Sequence, residues 1–239
     1  EYFRWTNVPS PMTIYAGIQK LPPGHFVRIG KAETTLKPQP YWSAIDAARV
    51  QPDHRAGIEA VDGLEEVLDL AVGNQMVADV PIGAFLSGGI DSSSMVASMQ
   101  RQSSTPIRTF TIGFGESGYD ESNYAAEVAA ALGTDHTELV VSPEDAMRVI
   151  PELPTIYDEP FADSSQIPTY LVSKMAREHV TVALSGDGGD ELFGGYDRYQ
   201  QINRLERLRG SLPSSSCRIL GSLIQRLPVE AWDRLGSGL

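Results

Sequence analysis

Hydrophobic and polar positions alternate with two periodicities along the chain, one typical of strands and one typical of helices. The four predicted strands are Ile82 to Leu86, Ile107 to Phe114, His136 to Val141 and Val180 to Leu184. The predicted helices are Ile58 to Met76, Ser92 to Gln100, Asn123 to Leu132, Pro143 to Leu153 and Ile167 to Glu178, followed by a helical tail from Asp197 onward. Strands separated by helices predict right-handed βαβ units. The fold class is therefore α/β, a doubly wound parallel sheet with helices on both faces.

The first 45 residues have a different composition, rich in proline and glycine. Within them His25 to Ile29 and Thr34 to Lys37 predict a short hairpin across the polar turn Lys31 to Glu33. This segment is too small to fold alone. We therefore divide the chain into residues 1–45, a short N-terminal β segment and linker, and residues 46–239, the α/β domain.

The amino-acid composition limits which binding partners and which cellular compartment are expected. The 239 residues carry a formal net charge of -12 with a pI near 4.7, which disfavours binding to nucleic acid or to anionic lipid. Cys217 is the only cysteine, so an internal disulfide, a CxxC redox pair and a cysteine-based zinc site are excluded, and a cytoplasmic location is predicted. No apolar run approaches the roughly 20 residues that span a bilayer. Because the chain begins at Glu1, we expect it to be a fragment of a longer protein.

The stretch FLSGGIDSS, residues 85–93, predicts a phosphate-binding turn at the end of the first strand. Gly88 and Gly89 carry no Cβ, so several N–H groups can converge on an anion, and a helix is expected to begin near Asp91 or Ser92. Asp91 adds negative charge beside a polyphosphate, which is useful if it binds Mg²⁺. For the SGG triplet alone, an ordinary turn with a capped helix explains the residues equally well.

A second glycine-rich stretch, SGDGGDELFGGY (residues 185–196), repeats this arrangement after the fourth strand. Because the carboxyl ends of parallel strands share one edge of a sheet, ligands bind there, and Asp190 becomes a second candidate Mg²⁺ ligand beside Asp91. An acidic residue is also favourable at a helix start without any function, which is the alternative for Asp190. The P-loop sequence GxxxxGK[ST] is absent, and no GxGxxG follows the first strand.

A polar loop between the third and fourth strands leaves two interpretations open. Asp158, Glu159, Asp163 and Ser164 could bind a substrate ammonium or main-chain group near the strand ends. Local capping of the following helix explains the same residues.

Taken together, these stretches resemble the synthetase domain of glutamine-dependent asparagine synthetase, in the PP-loop ATP pyrophosphatase superfamily with its adenine nucleotide alpha hydrolase-like fold. The resemblance rests on DVPIGAFLSGGIDSS, RTFTIGF, YDES, SGDGGDELFGGYDRY and, upstream, IYAGIQKLPPGHFVRI and PYW. It extends from Ile14 to about Tyr199. It implies that ATP and Mg²⁺ are used, that an acyl-adenylate forms on the side-chain carboxylate of aspartate with release of pyrophosphate, and that ammonia displaces AMP.

The resemblance also implies roles for single residues. The nucleotide contacts would be Leu86, Ser87, Gly88, Gly89, Asp91, Ser92, Ile112, Ser185 and Gly186, and the Mg²⁺ ligands would be Asp91 and Asp190. Leu86 and Ile112 would act through main-chain atoms and apolar contact with adenine. Asp187 would be the acid-base group near the attacking nitrogen, although it stands where asparagine synthetases commonly have Glu and β-lactam-forming relatives have Tyr.

Partners follow from the same resemblance. Ammonia would come from glutamine through a glutaminase domain that this chain lacks. Residues 1–45 would be the remnant and linker that connect to that domain. The family's phosphoryl-stabilising lysine would lie beyond residue 239, so the domain would be truncated. The apolar helical tail offers a surface for a homodimer. Two alternatives to asparagine synthesis stay open: another amide- or β-lactam-forming synthetase, and a nucleotide-binding module without turnover. The negative net charge and the single cysteine argue against a third, an RNA-modifying enzyme.

Overall fold

The computed structural model describes residues 2–30, 36–50, 55–114, 122–210 and 222. The described helices are α1 (Tyr2–Trp5), α2 (Ala44–Arg49), α3 (Ile58–Gln75), α4 (Ile90–Gln102), α5 (Ser122–Leu132), α6 (Pro143–Val149), α7 (Leu153–Ile156), α8 (Gln166–Ala176), α9 (Gly189–Phe193) and α10 (Asp197–Gly210). The described strands are β1 (His25–Phe26), β2 (Gln39–Pro40), β3 (Ile82–Phe85), β4 (Arg108–Phe114), β5 (Asp135–Val141) and β6 (Val182–Leu184). The residues fall into two units, 1–186 and 187–239, which we describe separately.

The main sheet is parallel and has the strand order β5-β4-β3-β6. All four predicted strands are present, and the parallel sheet is confirmed. Strand β4 shows why this segment forms an inner strand: in RTFTIGF, β-branched and aromatic residues alternate between the two faces of the pleated sheet. Thr109 and Phe110 are both fully buried on opposite faces, so β4 is covered on both sides.

Helices cover both faces of this sheet, as predicted. On one face the core joins α4 and α5 to β3 and includes Ala84, Leu86, Met95, Val96, Met99, Ala125 and Ala129. On the other face Phe110 packs with Ala176 of α8 and with Val180. The connections therefore use opposite faces on either side of β3, and the chain changes direction between β3 and β6. In doubly wound folds this switch point opens a crevice at the carboxyl ends of the strands.

The helix predicted over Pro143 to Leu153 is divided. It ends at Val149, continues as a single 3-10 turn over Ile150–Glu152, and resumes as α7. Pro151 accounts for the break, because proline has no N–H to donate and its ring crowds the preceding turn. The start of α6 is strongly capped: Ser142 accepts from the Asp145 N–H, and the Asp145 carboxylate accepts from the Ser142 N–H.

The N-terminal segment forms an antiparallel pair, but the predicted hairpin register is wrong. Strand β1 pairs with Gln39–Pro40, whereas the prediction placed the partner at Thr34 to Lys37; the predicted turn lies outside the described residues. The main chain around Gly24 explains the later register. The Gly24 carbonyl accepts from the N–H groups of Tyr41 and Trp42, and a side chain at Gly24 would collide with the Trp42 carbonyl.

His136 is a strand residue, as the sequence indicates. It lies beside Thr109 in the β4–β5 register, and its Nδ1 is 2.9 Å from the Thr109 Oγ1. Burial lowers the pKa of His136 below its ordinary value of 6.5, with the Glu138 carboxylate opposing that shift. The imidazole is therefore neutral at pH 7 and belongs to the packing of the sheet.

Candidate nucleotide site

The first glycine turn begins at a strand end that is tightly fixed to its neighbour. Leu86 is 1% exposed, its N–H donates to the Phe110 carbonyl over 2.9 Å, and its carbonyl accepts from the Thr111 hydroxyl. Both main-chain groups of Leu86 are thus bonded to β4, and its side chain lies in the core. The chain leaves the sheet immediately after this anchored residue.

Gly88 is needed at the turn for two separate reasons. Its φ is +79°, a conformation that side chains rarely adopt. In addition, a Cβ at this position would lie 2.7 Å from the main-chain nitrogen of Ala125 and 2.7 Å from the Tyr124 Cβ. The turn therefore rests directly on the first turns of α5, and this packing holds it at the carboxyl edge of the sheet.

A pair of serine hydroxyls shapes the inside of the turn. The Ser92 Oγ lies 2.9 Å from the Ser87 Oγ, accepts from the Ser87 N–H over 3.2 Å and donates to the Gly89 carbonyl over 3.3 Å. The Ser87 Oγ in turn accepts from the Gly89 N–H over 3.3 Å. These bonds close the turn on itself, so its geometry exists before any ligand binds.

Helix α4 starts earlier than predicted, at Ile90, and its N-cap is Gly89. The prediction of a start near Asp91 or Ser92 is corrected for a physical reason: the Ser92 hydroxyl points back to the turn instead of capping the helix. Gly89 offers no side chain to the first turn, and no side-chain cap bond forms there. The N–H groups at this end are therefore directed toward the carboxyl edge of the sheet, where the helix dipole also favours an anion.

The second glycine turn lies against the first turn of α4. Strand β6 ends at Leu184, which pairs with Ala84 of β3, and half-buried Ser185 and Gly186 follow. A Cβ on Gly186 would lie 2.7 Å from the Ser92 nitrogen and 3.0 Å from the Ser92 Cα. Only glycine allows this approach. The structure thus brings Gly186, at the start of the second glycine-rich stretch, against the end of α4 that favours an anion.

The remaining predicted residues of this unit occupy two positions. Asp91 is half-buried in the first turn of α4. Ile112 lies near the end of β4, half-buried and on the same face as Phe110, which is the α8 face. Leu86 and Ile112 therefore border opposite faces of the sheet, and only the triphosphate part of the predicted site is built around the glycine turns.

The second unit contains Asp187 and Asp190. Asp187 is exposed, and Asp190 lies half-buried in the first turn of α9, a helix that begins after Gly188 with a φ of +94°. The Asp190 carboxylate lies over Gly195, leaving no room for a side chain there. Nearby, the Tyr196 hydroxyl donates to the Glu191 carboxylate over 2.7 Å, which raises the pKa of Tyr196 to about 12 and lowers the pKa of Glu191.

The described residues fit a magnesium ion held mainly by its nucleotide. Among them, no group of three or more His, Cys, Asp and Glu side chains could hold a metal ion. A Mg²⁺ ion at a nucleotide site needs no such cage, since one or two carboxylates together with phosphate oxygens and water complete its octahedron. Asp91, half-buried beside the first-turn N–H groups of α4, can supply one of these oxygens.

For the polar loop before α8, the structure favours a structural role for two of its three acids. Both carboxylate oxygens of Glu159 are bonded to the N-terminal segment. Asp163 accepts from the Ser165 N–H over 2.9 Å, and this bond lowers the pKa of Asp163. Sequence reasoning missed the bonds of Glu159, because its partners are far away in the chain and no local pattern signals them.

A parallel sheet with glycine turns at the anion-favouring end of a helix is an arrangement typical of phosphate-binding α/β proteins. Comparison with known protein families matches residues 63–236 to asparagine synthase. Because this match includes well over half of the chain, the chain belongs to the asparagine synthase family. The resemblance recognised in the sequence is thereby confirmed.

Individual relatives agree with the family. The chain is 38% identical over 217 residues to asparagine synthetase [glutamine-hydrolyzing] 1 of Bacillus subtilis, a match that covers 89% of the chain and 33% of the relative. It is 33% identical over 204 residues to amidase chyE of Penicillium rubens, covering 79% of the chain and 30% of the relative. The chain spans 33% to 43% of the length of the first curated relatives it matches.

Among solved structures, the chain is similar to an NH3-dependent NAD synthetase from Campylobacter jejuni. The TM-score is 0.39 at 14% identity, over 59% of this chain and 62% of the other. Within the described residues, no helix has the length and apolar character needed to cross a membrane.

Proposed function

We propose that the protein containing this chain makes asparagine by activating aspartate with ATP. The aspartate side-chain carboxylate attacks the α-phosphorus of ATP, an acyl-adenylate forms and pyrophosphate leaves. Ammonia derived from glutamine then attacks the acyl carbon, the bond to AMP breaks, and asparagine and AMP are released. The observation that supports this proposal best is the close approach of Gly186 to the Ser92 amide, together with the chain's family membership.

The residues of the first unit have stated roles in this proposal. Gly88 and Ser92 present main-chain N–H groups to the β- and γ-phosphates, while the Gly89 N–H is held by the Ser87 hydroxyl. Negative charge on the departing pyrophosphate falls at the positive end of α4. The Ser87 and Ser92 hydroxyls keep the turn in the geometry that binds. Ser185 and Gly186 border the phosphates from β6, and Ile112 is the apolar contact for the adenine. Leu86, which is buried and has both main-chain groups bonded to β4, fixes the strand end from which the turn departs.

Magnesium, when bound, would neutralise phosphate charge and align the leaving group, with Asp91 as one protein ligand. Asp190 as a second ligand and Asp187 as the acid-base group are proposed from the resemblance alone. A glutaminase domain as the source of ammonia, a homodimer and a cytoplasmic location are likewise proposals for the whole protein.

The acceptor is tested by exchange of labelled pyrophosphate into ATP, measured with the full-length protein and a panel of carboxylic acids. We expect exchange with aspartate and with no other acid of the panel, because adenylation is reversible while pyrophosphate is present. Exchange only with an acid other than aspartate would reject the proposed substrate.

A second candidate function is suggested by the relative named amidase chyE. In this case the same phosphate site would serve formation of a different amide or a β-lactam, and the exchange panel would identify the different acid. Tight binding of Mg-ATP without release of AMP with any acid would instead indicate a nucleotide-binding module without turnover.

A further inference from the structure

The N-terminal segment is bonded to the loop that precedes α8, which we define as residues 157–165 and call the α8 loop. The Ala162 N–H donates to the Thr6 carbonyl over 2.7 Å, and the Tyr15 hydroxyl donates to the Asp158 carbonyl over 2.8 Å. Thr6 and Tyr15 lie before the residues matched by the family comparison, which begin at residue 63. The segment thus reaches a loop that is remote in the chain and bonds to it at Asp158 and Ala162.

The central contact is an ion pair between Lys20 and Glu159. One Glu159 oxygen bonds to the Lys20 ammonium, and the other accepts from the Ile14 N–H over 3.3 Å. The Lys20 ammonium also donates to the Val8 carbonyl over 2.5 Å. The side chains of Lys20 and Glu159 are 34% and 18% exposed, so solvent screens this pair less than the exposed pairs elsewhere on the chain. Glu159 is therefore a link to the segment and is not free for substrate.

The α8 loop is also fixed at its other end. The Tyr157 hydroxyl donates to the Gln166 carbonyl over 2.9 Å, and the Tyr157 ring makes an edge contact with Phe161 at 4.9 Å between ring centroids. The loop is therefore bonded to the start of α8 by its own residues. Its bonds to the N-terminal segment are made by Asp158, Glu159 and Ala162.

The position of the loop in the fold indicates which substrate it serves. Helix α8 joins β5 to β6 by a parallel crossover, so it starts at the carboxyl edge of the sheet, on the face opposite to α4. The proposed function assigns phosphate to the glycine turns and α4, on one face of the sheet. We assign the attacking carboxylate to the other face, toward which the α8 loop lies. Asp158, adjacent to Glu159, has an exposed side chain on this loop.

We propose that Lys20 and Glu159 are positioning residues, through which the N-terminal segment holds the α8 loop in place for the carboxylate acceptor. This inference rests on the proposed function of the site. Neither residue touches the reacting atoms. Loss of the pair displaces the loop and weakens acceptor binding, while the phosphate side of the crevice stays intact.

The test uses aspartate-dependent pyrophosphate exchange by the full-length protein and its variants Lys20→Met, Glu159→Gln, the double variant and Lys20→Arg. We expect each of the first two to raise the KM for aspartate by about ten- to hundredfold, because small misplacements of substrate-positioning groups have effects of this size. The KM for ATP should stay within about twofold. The double variant should match the worse single variant, since both changes remove one contact. Lys20→Arg retains the charge and should stay within about threefold of the parent.

Arg148→Met is the matched control. It breaks the ion pair between Arg148 and Asp145, whose side chains are 78% and 46% exposed respectively. The variant should leave the KM values for ATP and for aspartate unchanged. The inference is overturned if aspartate KM is unchanged in Lys20→Met and Glu159→Gln, if the KM values for ATP and aspartate rise together, or if the two changes are additive. A parent protein without acid-dependent exchange would reject the proposed function and this inference together, whereas an active parent with unaltered variants would reject only the inference.

Discussion

Replacing Gly88 by alanine should lower acid-dependent pyrophosphate exchange by at least about a hundredfold, because the phosphate turn can no longer hold its geometry. Both the backbone conformation and the neighbouring helix disfavour the added methyl group. It must adopt a φ of +79°, which costs about 1–2 kcal/mol for a side chain, and it would lie 2.7 Å from the Ala125 nitrogen. Because that nitrogen belongs to the helical main chain of α5, it cannot move aside as a flexible side chain could. The turn itself must shift.

Gly133→Ala is the control for this experiment. Gly133 has a similar φ of +71°, but no heavy atom of the described part of the chain lies within 4 Å of an added Cβ, so the variant reproduces the conformational strain without the collision. Exchange rates and urea unfolding should be measured for both. We expect Gly133→Ala to lose about 1–2 kcal/mol of unfolding free energy with little change in exchange, and Gly88→Ala to lose about 1–3 kcal/mol more through overpacking. Equal exchange rates in the two variants would contradict a role for the turn.

The second large effect is expected at Gly186. An alanine Cβ would lie 2.7 Å from the Ser92 nitrogen, over one of the N–H groups that face the phosphates. We therefore expect the KM for ATP to rise, and kcat/KM for ATP to fall by about a hundredfold, the size of effect seen when one preorganised donor is lost. Since no positive φ is involved at Gly186, the change in unfolding free energy should be smaller than for Gly88→Ala.

Steady-state exchange at varied ATP concentration measures this effect. Gly210→Ala is a suitable comparison, because none of the residues that the structure describes places an atom within 4 Å of its added Cβ and its φ is ordinary. This variant should bind and use ATP as the parent does. If Gly186→Ala kept the parent's KM for ATP, the second glycine turn would have no part in binding the nucleotide.

The sequence predicted the strands of the main sheet because the periodicity of their hydrophobic residues agrees with the burial of their side chains. In β4 the alternation of threonine with aromatic and aliphatic residues indicates a strand covered on both faces, and the structure has one. Strand β6 is shorter than predicted. Val180, counted with that strand in the sequence, is bonded to Ala176 at the end of α8 and packs with Phe110. An apolar residue just before a strand gives the same sequence pattern whether it pairs with a neighbouring strand or only packs against the sheet.

Features set by individual hydrogen bonds or ion pairs had no signal in the sequence, whether the partners are near in the chain or far apart. The start of α4 is set by the Ser92 hydroxyl bonding to Ser87 and Gly89, which a list of favourable N-cap residues cannot predict. Likewise, nothing near Glu159 indicates Lys20 as its partner. For the site, the sequence predicted Gly88 and Gly186 as nucleotide contacts, but the structure was needed to identify the Ala125 and Ser92 nitrogens as what each glycine approaches.

The central claim is that the glycine turns at the start of α4 bind the triphosphate of a magnesium nucleotide. The most direct test is a crystal structure of the full-length protein with an ATP analogue that resists cleavage between the α- and β-phosphates and with Mn²⁺ in place of Mg²⁺. We predict that phosphate oxygens accept from main-chain N–H groups between Gly88 and Ser92, and that the anomalous peak of Mn²⁺ lies at the Asp91 carboxylate. A nucleotide bound away from Gly88 and Gly186, with Mn²⁺ elsewhere, would contradict the account.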